Sequence, residues 1–237
     1  MDEKDFFLVL DFDGTITNKD VNDLVLAKFA RPEWFQIEES WRKGQISSQQ
    51  CLKEEVALVA AGLPEILIYV DSIAVDAAFP TLAKWLQANG QPLAIISDGF
   101  QVFIERILAN TGIRDMAVYA NGLSTEDGRL KASFMNAATN CPAGTCKCAL
   151  AQTLSKGLPV VLVGDGQSDY CLAKKADYVF AKGKLADYCR ENKLPYIGFS
   201  NMTELHVKLA AFRLFFGLRR DFRGSLKWNE IFEQEGC

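Results

Sequence analysis

The sequence predicts an α/β fold in which helices cover both faces of a doubly wound, mostly parallel sheet. Two observations predict it. Short, continuously apolar runs, which are typical of buried strands, alternate with helical patterns over most of the chain. Between residues 20 and 70 the apolar spacing is helical throughout, and no strand-like run interrupts it. We therefore expect residues 1–16 and 80–237 to form the core and residues 17–79 to form a helical domain inserted after the first strand.

The first strand is predicted in FFLVL, residues 6–10, because this run is too short and too continuously apolar for an amphipathic helix. The same pattern predicts later strands at 92–97, 116–121, 159–164, 177–181 and 196–200. A hairpin turn is predicted in GLSTEDGRL, with Asp127 and Gly128 at its tip, because Asp-Gly is a favoured two-residue hairpin loop.

Helical spacing predicts the remaining elements. Helices of the insert are expected at 20–30, 32–44 and 47–63, where Pro32 would stand in a first helical turn and Ser47 or Ser48 would be an N-cap. Helices of the core are expected at 81–90, 101–112, 146–157, 168–176 and 184–192. Because strands and helices alternate in this part of the chain, the strands are expected to run mostly parallel.

The 237 residues are 49% hydrophobic and 24% charged, which is ordinary for a globular protein with a sizeable apolar core. The formal net charge of −4 has the wrong sign for a nucleic-acid-binding surface. No secretion signal precedes the first apolar run, and no run approaches the ~20 residues of a membrane span. We therefore expect a cytoplasmic protein that binds neither nucleic acid nor membrane, and its odd number of cysteines argues against a disulfide framework.

Polar residues follow three of the predicted strands at the point where each strand ends. Asp11 and Asp13 follow the first strand, Ser97-Asp98-Gly99 follows the second, and Gly164-Asp165-Gly166 follows the strand that begins at residue 159. Ligands of such sheets bind beyond the carboxyl ends of the strands, so we expect the three clusters to converge on one pocket. A single aspartate after a strand is commonly a turn residue or a helix cap. Three clusters in this arrangement favour a shared site.

The carboxylates of Asp11, Asp13, Asp165 and Asp169 would repel one another in a single pocket unless a cation were present. Mg²⁺ is the expected ion, because it prefers carboxylate and water oxygens and commonly accompanies phosphates. An EF-hand loop is excluded, since Thr15 stands where the next carboxylate of such a loop is required, and the sequence has no P-loop motif.

Four features follow one another in the chain: the motif DFDGT, a strand that ends in Ser97, a lysine beyond that strand, and the motif GDGQSD. In this order and context they resemble the haloacid dehalogenase (HAD) phosphatase superfamily over about 1–16 and 80–200. The resemblance implies a Rossmann-like core, with the insert in the position of a cap domain. It also implies a Mg²⁺-dependent phosphatase that forms an aspartyl-phosphate while it hydrolyses a small phosphorylated metabolite.

The resemblance implies a role for each matching residue. Asp11 is the expected nucleophile, and Asp13 is expected to protonate the leaving oxygen and then to activate water. Gly14 is expected to allow the tight turn after the strand. The phosphoryl oxygens are expected to bind a hydroxyl group and backbone N–H groups that belong to Ser97, Asp98 and Gly99.

The metal site implied by the resemblance lies at the same strand ends. Mg²⁺ is expected between the carboxylates of Asp11 and Asp165 and the backbone carbonyl of Asp13. Gly164 and Asp169 are expected in supporting positions, where Asp169 would steady the metal ligands or the phosphate-binding lysine.

The phosphate-binding lysine is expected to be Lys147, at the start of a predicted helix, and the alternative is Lys156 at the far end of that helix. Lysine supplies a point charge that pairs with phosphate. Three cysteines surround this position in CPAGTCKC, at Cys141, Cys146 and Cys148. Their spacing is not a standard zinc pattern, so reduced cysteines packed around the lysine are expected, and a zinc knuckle is the alternative.

ARPEW at 30–34 and FAKGKLADYCRENKLPY at 180–196 resemble one group of the superfamily, the methionine-salvage phosphatases that act on 2-hydroxy-3-keto-5-methylthiopentenyl-1-phosphate. The alternatives are a phosphoserine phosphatase-like enzyme, whose polar cap site could use Glu38, Glu39 and Arg42, or a phosphotransferase that uses the same aspartate. A non-catalytic protein with this fold is disfavoured because the motif residues are intact. A glycosidase with paired carboxylates would leave the lysine and the third cluster without a function.

Four residues of the insert are candidates for substrate contacts: Trp34, Phe35, Trp41 and Arg42. The alternative is that the aromatic residues pack between helices and that Arg42 is solvated. Near the C-terminus we expect the apolar side of the chain to cover the sheet and its arginines to be solvated, namely Arg213, Arg219, Arg220 and Arg223. A helix that binds a partner or a membrane surface is the alternative, and both a monomer and a homodimer remain open.

Overall fold

The computed structural model describes residues 6–221 and the side chains of residues 6–216. Its centre is a seven-stranded sheet in the order β4-β3-β2-β1-β5-β6-β7. The strands are β1 Phe7–Leu10, β2 Leu93–Phe100, β3 Val118–Glu126, β4 Arg129–Ser133, β5 Val160–Gly164, β6 Tyr178–Ala181 and β7 Ile197–Gly198. All neighbouring strands are parallel except β3 and β4. The strand order reverses at β1, so the predicted α/β fold with a doubly wound, mostly parallel sheet is confirmed.

The helices pack on both faces of this sheet. They are α1 Val21–Phe29, α2 Trp34–Arg42, α3 Ser48–Val56, α4 Leu63–Val70, α5 Phe79–Ala88, α6 Gln101–Asn110, α7 Lys147–Leu154, α8 Tyr170–Ala173, α9 Gly183–Glu191 and α10 Met202–Asp221. A 3₁₀ turn at Gln167–Asp169 precedes α8. Within the described part of the chain, every helix is too short or too polar to cross a bilayer.

β1 is buried on both faces, which explains its continuously apolar sequence. Leu8 and Leu10 belong to one apolar cluster, and Phe7 and Val9 belong to another, because successive strand residues point to opposite faces of the sheet. β2 and β5 pair with the two edges of β1. A residue placed directly after β1 is therefore surrounded by the ends of two further strands.

The segment between β1 and α5 contains α1 to α4 and no strand of the sheet. Thr17 and Val75 form an antiparallel bridge that joins the two ends of this insert. The division of the chain at residues 17 and 79 remains a prediction. The helix predicted at 47–63 is wrong in extent, because α3 ends at Val56 and α4 begins only after Gly62.

Side chains and turns determine where the helices of the insert begin. Ser47, and not Ser48, is the N-cap of α3, because its hydroxyl accepts a hydrogen bond from the Gln50 N–H at 3.1 Å. The prediction that Pro32 stands in the first turn of a helix is wrong. Pro32 precedes α2, because a turn at residues 32–33 leads into the helix and Glu33 is the N-cap.

The predicted hairpin turn is confirmed at β3 and β4. Glu126 pairs with Arg129, and the two residues between them, Asp127 and Gly128, have φ of 48° and 73°. Positive φ at both central residues is the geometry that Asp-Gly favours in a two-residue hairpin loop. β3 extends from Val118 to Glu126 and is longer than the strand predicted at 116–121, because the antiparallel partner continues its pairing.

Helix α10 covers one face of the sheet near β1 and β6 with aromatic side chains, as the apolar pattern near the C-terminus predicts. The Phe212 ring contacts the rings of Phe6, Tyr178 and Phe180 at centroid distances of 5.1, 4.9 and 5.6 Å. Edge-to-face contacts of this kind stabilise a core beyond the area that they bury.

The sequence led us to expect a solvated Arg213, but its side chain is bound to a neighbouring loop. Its guanidinium donates to Gln91 Oε1 and to the Asn89 carbonyl, because the loop after α5 presents these two oxygens to α10. The side chains of Arg219 and Arg220, and the whole of Arg223, lie outside the described residues.

We expect Phe212→Ala to lower the free energy of unfolding by about 3–5 kcal/mol, because it leaves a cavity among the rings of Phe6, Tyr178, Phe180 and Phe216. Urea denaturation followed by circular dichroism measures this change. Leu214→Ala is the control, since Leu214 is 72% exposed on the same helix, and we expect it to change the free energy of unfolding by less than about 0.5 kcal/mol. Equal effects of the two substitutions would contradict the packing of α10 described above.

Candidate active site

The ends of β1, β2 and β5 meet at a cavity of about 390 Å³. The three polar clusters noted in the sequence contribute to its lining through Asp11, Asp13, Gly14, Ser97, Asp98, Gly99, Asp165 and Gly166. The opposite wall comes from the segment before α1 and from α1, α2 and α3. The cavity therefore lies between the sheet and the insert.

Lys147, the first residue of α7, forms two buried ion pairs. Its Nζ lies 2.7 Å from Asp11 Oδ1 and 2.6 Å from Asp169 Oδ1, and it donates to Ser168 Oγ at 3.1 Å. Burial opposes the charge of the lysine, but the two carboxylates outweigh burial, so the pKa of Lys147 lies above its ordinary value. Lys156, the alternative from the sequence, is exposed beyond the end of α7.

Asp11, Asp165 and Asp169 offer carboxylate oxygens that all lie within 4.8 Å of one another. Burial is the main reason why the pKa of Asp11 lies well above its ordinary range, and the charge of Asp169 adds to it while Lys147 opposes it. Carboxylate oxygens at this spacing fit Mg²⁺, which takes hard oxygen ligands. A divalent ion would offset the repulsion among these three carboxylates that the single positive charge of Lys147 does not balance.

Asp169 is held by donors on both of its oxygens. Its Oδ1 accepts from Lys147, and its Oδ2 accepts from the backbone N–H groups of Asp165 and Gly166 at 3.2 and 3.3 Å. This carboxylate therefore orients Lys147 and the loop after β5. Asp165 is oriented in turn by Thr15, whose Oγ1 donates to Asp165 Oδ1 at 2.7 Å.

Asp13 is held between the insert and the end of β2. Its Oδ1 accepts from the Val21 N–H at 2.9 Å, and its Oδ2 accepts from Ser97 Oγ at 3.2 Å. Burial raises the pKa of Asp13 to about 6, against the effect of these two hydrogen bonds. Such a carboxyl group can hold or release a proton near neutral pH. The Gly99 N–H, expected to face a phosphoryl group, donates to Ser97 Oγ at 2.9 Å.

The side chain of Asp98 connects three parts of the molecule. It accepts from the Thr145 N–H at 2.7 Å, from Asn121 Nδ2 at 3.1 Å and from the hydroxyl of Ser48 at the start of α3. Thr145 also donates from its hydroxyl to Asn121 Oδ1 at 3.0 Å. The loop after β2 is thereby fixed to the insert and to the segment before α7.

Close approach to a carboxylate requires glycine at three positions of the site, Gly14, Gly99 and Gly164, of which the first and last lie against Asp165 and Asp169. Gly14 has φ of +69°, and a Cβ there would lie 2.4 Å from Asp165 Oδ2. A Cβ at Gly164 would lie 2.3 Å from Asp169 Oδ2. Any larger residue would displace a carboxylate of the site, so these positions need glycine.

The four candidates from the insert separate into two pairs. Trp41 and Arg42 line the cavity. Trp34 is buried within the insert and stacks on Phe35 at a centroid distance of 3.9 Å, and among the described residues neither of these two belongs to the lining. Trp34 is therefore a packing residue of the insert, whereas the Phe35 ring is 62% exposed and stacks on Trp34 of the same helix.

The side of the cavity that the insert forms contains a cluster of acidic residues. Glu38, Cys51 and Glu55 offer ligand atoms within 4.8 Å of one another, and all three line the cavity. Burial, with the charge of Glu38, raises the pKa of Glu55 to about 8. The sequence pattern indicated Glu38 but not Cys51 or Glu55, since nothing in a helical repeat shows which face of α3 is turned toward a cavity.

Cys141, Cys146 and Cys148 are free thiols. Burial raises the pKa of Cys141 to about 11 and also raises that of Cys148, so both are protonated near neutral pH. Among the described residues, the sets of three close metal-ligand atoms include none of these cysteines. Their environment favours reduced, packed cysteines over a zinc knuckle.

Several residues that hold the site together carried no prediction of a role there: Thr15, Ser48, Asn121, Thr145 and Ser168. Thr15 belongs to the DFDGT motif and Ser168 to GDGQSD, and these positions are the signals that could have identified them. The other three lie on separate segments, and only the folded chain brings them to Asp98.

Comparison with known proteins agrees with this geometry. The model of the haloacid dehalogenase-like hydrolase family matches residues 8–174. The chain belongs to this family. A HAD phosphatase, the enzyme class expected from the sequence, is thereby confirmed, since curated relatives carry phosphatase names.

Two of these HAD relatives are named 2-hydroxy-3-keto-5-methylthiopentenyl-1-phosphate phosphatase. The protein of Brevibacillus brevis is 31% identical over 208 residues, which cover 85% of this chain and 94% of the relative. That of Geobacillus kaustophilus is 29% identical, with 85% and 94% covered. A solved structure of a substrate-bound phosphoserine phosphatase complex superposes with a TM-score of 0.67 at 22% identity, with 89% of this chain and 99% of that chain covered. At this identity the likeness shows the shared fold.

We expect Lys147→Met to lower the free energy of unfolding by about 3–5 kcal/mol, because it leaves Asp11 and Asp169 buried without their counter-charge. Urea denaturation near neutral pH measures this loss. Lys156→Gln, at an exposed position beyond the far end of α7, is the control, and we expect less than about 0.5 kcal/mol of change. If the two variants were equally stable, the ion pairs of Lys147 would be absent in solution.

The stability of the protein should depend on pH through Glu55. Its pKa is about 8 in the folded chain against an ordinary value of 4.5, so the folded state binds the proton more tightly than the unfolded state does. Its contribution to stability is therefore complete below about pH 4.5 and is lost as the pH rises to about 8. In Glu55→Gln this loss is absent, so the Tm of the variant minus that of the wild type should increase from about pH 5 to about pH 9. Parallel Tm curves would show that Glu55 titrates normally.

Proposed function

We propose that the protein hydrolyses a small phosphomonoester with Mg²⁺ through an aspartyl-phosphate on Asp11. One observation carries this proposal. The carboxylate directly after β1 is paired with a buried lysine and belongs to a group of three carboxylates within 4.8 Å of one another. A nucleophile, a counter-charge for phosphoryl oxygens and a cation site are thus combined in one place.

The hydrogen bonds of Asp11 indicate which oxygen attacks. Lys147 Nζ and the Phe12 N–H both contact Oδ1, at 2.7 and 2.9 Å, and in the described part of the chain no hydrogen bond engages Oδ2. In the proposed reaction Oδ2 forms a bond to phosphorus while the bond from phosphorus to the alcohol oxygen breaks. Asp13 gives its proton to that oxygen, and the alcohol leaves.

The second half of the proposed reaction reverses the role of Asp13. Its carboxylate takes a proton from water, and the water oxygen attacks the phosphorus of the phosphorylated Asp11. The bond between Asp11 and phosphorus then breaks, and inorganic phosphate leaves. A pKa of about 6 suits both steps, since the group must donate and accept a proton in one cycle.

In this proposal Mg²⁺ is held by the carboxylates of Asp11 and Asp165 and by the backbone carbonyl of Asp13. The ion supplies positive charge for the phosphoryl oxygens when it is bound. Thr15 fixes the orientation of Asp165, and Lys147 reduces the repulsion between Asp11 and the incoming phosphate dianion. The hydroxyl of Ser97, with the N–H groups of Asp98 and Gly99, is the proposed phosphate-binding loop.

The substrate we propose first is 2-hydroxy-3-keto-5-methylthiopentenyl-1-phosphate, on the names of the relatives. A phosphorylated amino alcohol of the phosphoserine type is the second candidate, and the acidic residues that the insert contributes to the cavity favour it. Phosphoryl transfer from the same aspartate to an acceptor other than water is the alternative reaction. In each case α2 and α3 would separate the reacting atoms from bulk water.

We expect Asp11→Asn to lower kcat by about a thousandfold or more, because the amide keeps the volume of the side chain and removes its nucleophilic charge. EDTA should abolish turnover of the wild type, and added Mg²⁺ should restore it. Release of inorganic phosphate from both candidate substrates and from p-nitrophenyl phosphate measures these effects.

Asp127→Asn, at the tip of the hairpin, is the control for the change from carboxylate to amide and should leave kcat unchanged. Turnover that survives both EDTA and Asp11→Asn would contradict the mechanism. Labelled phosphate that appears on an added alcohol, and not as inorganic phosphate, would favour the phosphotransferase.

A further inference from the structure

A second cavity, of about 710 Å³, lies beside α7. Four cysteines line it: Cys141, Cys146, Cys148 and Cys171. Among the described residues, none lines both this cavity and the cavity of the active site. The four thiols are free, and the proposed reaction uses none of them. The segment CPAGTCKC, which contains three of them, therefore requires a separate explanation.

Two of these thiols are in contact. Burial is the main cause that raises the pKa of Cys141 to about 11, and a hydrogen bond with the Cys146 thiol adds to it, against the effect of a hydrogen bond with the Ala143 backbone. A metal site would need a third ligand close by. In the described part of the chain, no set of three metal-ligand atoms within 4.8 Å of one another includes these sulfur atoms. Two neighbouring thiols without a third ligand are the arrangement from which a disulfide forms.

The cavity gives small molecules access to this pair of thiols. The side chain of Cys141 is half-buried, whereas Cys146 is 5% exposed. The volume of the cavity is typical of sites for small molecules, and exposed polar side chains line it, among them those of Asn140, Gln152 and Lys175. A small peptide disulfide such as oxidised glutathione carries carboxylates and amides that these side chains can bind. Of the two thiols in contact, Cys141 is therefore the one that such a disulfide meets first.

Cys146 stands between two residues that hold the active site. It is the N-cap of α7. Thr145, before it, donates its N–H to Asp98 at 2.7 Å, and Lys147, after it, is paired with Asp11. A disulfide draws its two sulfur atoms to about 2 Å, much closer than a hydrogen bond between thiols does. The backbone would pass the required shift of Cys146 to both of its neighbours.

We propose that Cys141 and Cys146 form a redox-sensitive dithiol, and that their disulfide, made by exchange with a small disulfide in the second cavity, displaces Lys147 and lowers phosphatase activity. The inference rests on the proposed function for its effect on activity, but the disulfide itself can be measured without it. Lys147 is the counter-charge of Asp11 and the proposed ligand of the phosphoryl group, so its displacement weakens both interactions.

The exchange proceeds in two steps. The Cys141 thiol gives its proton to water, and its thiolate forms a bond to one sulfur of oxidised glutathione while the glutathione disulfide bond breaks. One glutathione leaves as a thiolate and takes up a proton. The Cys146 thiolate, formed in the same way, then attacks Cys141 Sγ, and the second glutathione leaves. The two thiols lose two protons and two electrons, and oxidised glutathione is reduced to two molecules of glutathione.

Mass spectrometry of the wild type tests the disulfide. The protein is incubated with oxidised glutathione at about pH 8.5, where thiolates are more abundant than at neutral pH. Free thiols are then alkylated, and the chain is digested with trypsin. Cleavage after Lys131 and Lys147 gives a peptide, residues 132–147, that contains Cys141 and Cys146 and no other cysteine. We expect this peptide without alkylation and about 2 Da, the mass of two hydrogen atoms, below its reduced form.

Three other results for this peptide would overturn the proposal. They are a peptide that stays reduced and is alkylated twice, a peptide that carries glutathione without an internal disulfide, and a peptide joined to the fragment that contains Cys148 or Cys171. If Cys141 or Cys146 were paired with either of these cysteines, the second cavity would contain a different redox site.

The oxidised protein should lose activity reversibly. We expect its kcat/KM for p-nitrophenyl phosphate to fall about tenfold or more, because a displaced Lys147 no longer meets the phosphoryl group, and dithiothreitol should restore it. We also expect a lower Tm, since the displacement leaves the carboxylates of Asp11 and Asp169 buried without their counter-charge. Protein that carries the disulfide with an unchanged kcat/KM, or with a Tm equal to or above that of the reduced form, would overturn the displacement of Lys147.

Two serine variants identify the pair. Cys141→Ser cannot form the disulfide, so oxidised glutathione should leave its kcat/KM unchanged. Cys171→Ser is the matched control, because Cys171 lines the same cavity from an exposed position on α8, and it should be inactivated as the wild type is. Protection by Cys171→Ser and not by Cys141→Ser would overturn the assignment. If Cys141→Ser did not fold, the mass of peptide 132–147 from the wild type would still decide.

These measurements separate the inference from the proposed reaction. Untreated protein that releases no phosphate from any ester would reject the proposed function, and the peptide mass and the Tm of the oxidised protein would then decide on the dithiol. Active protein in which peptide 132–147 stays reduced would reject the dithiol and leave the phosphatase reaction intact.

Discussion

The structure of the site depends on one buried ammonium group. Lys147 places its charge between Asp11 and Asp169, which are 3% and 0% exposed, and two carboxylates in such a position would otherwise take up protons. Ordering the lysine fixes Asp11 after β1, and it fixes Asp169 so that its second oxygen holds the loop after β5. The sheet order makes this possible, because β1 lies between β2 and β5.

The insert takes part in the site and does not merely cover it. The Val21 N–H, at the start of α1, orients Asp13, and the Ser48 hydroxyl, at the start of α3, donates to Asp98 in the loop proposed to bind phosphate. The backbone N–H of Ser48 also donates to the Pro142 carbonyl at 3.0 Å, in the segment that leads to Lys147. A displacement of α1 or α3 would therefore break hydrogen bonds that orient Asp13 and Asp98.

The sequence predicted the site residues that lie at strand ends, and it failed for residues whose position depends on which face of a helix is turned toward the cavity. Asp11, Ser97 and Asp165 meet because parallel strands present their carboxyl ends to one edge, a rule that needs no side-chain detail. Glu55 was missed because its position depends on how α3 packs against α2. The extent of the helix predicted at 47–63 was wrong for a local reason, since α3 ends at Val56 and Val59 forms a bridge with Ala30 before Gly62, the N-cap of α4, although the apolar spacing continues through this interruption.

The two ends of the cavity have different structural origins, and this difference bears on how far a substrate can be transferred between relatives. The end proposed to bind phosphate consists of strand ends, a buried ion pair and glycines such as Gly14, where a side chain would meet Asp165. The other end consists of side chains on the faces of α2 and α3, among them Glu38 and Glu55. Relatives at 31% identity therefore support the phosphatase class of this chain, whereas the choice of substrate depends on a few side chains that an overall identity does not weigh.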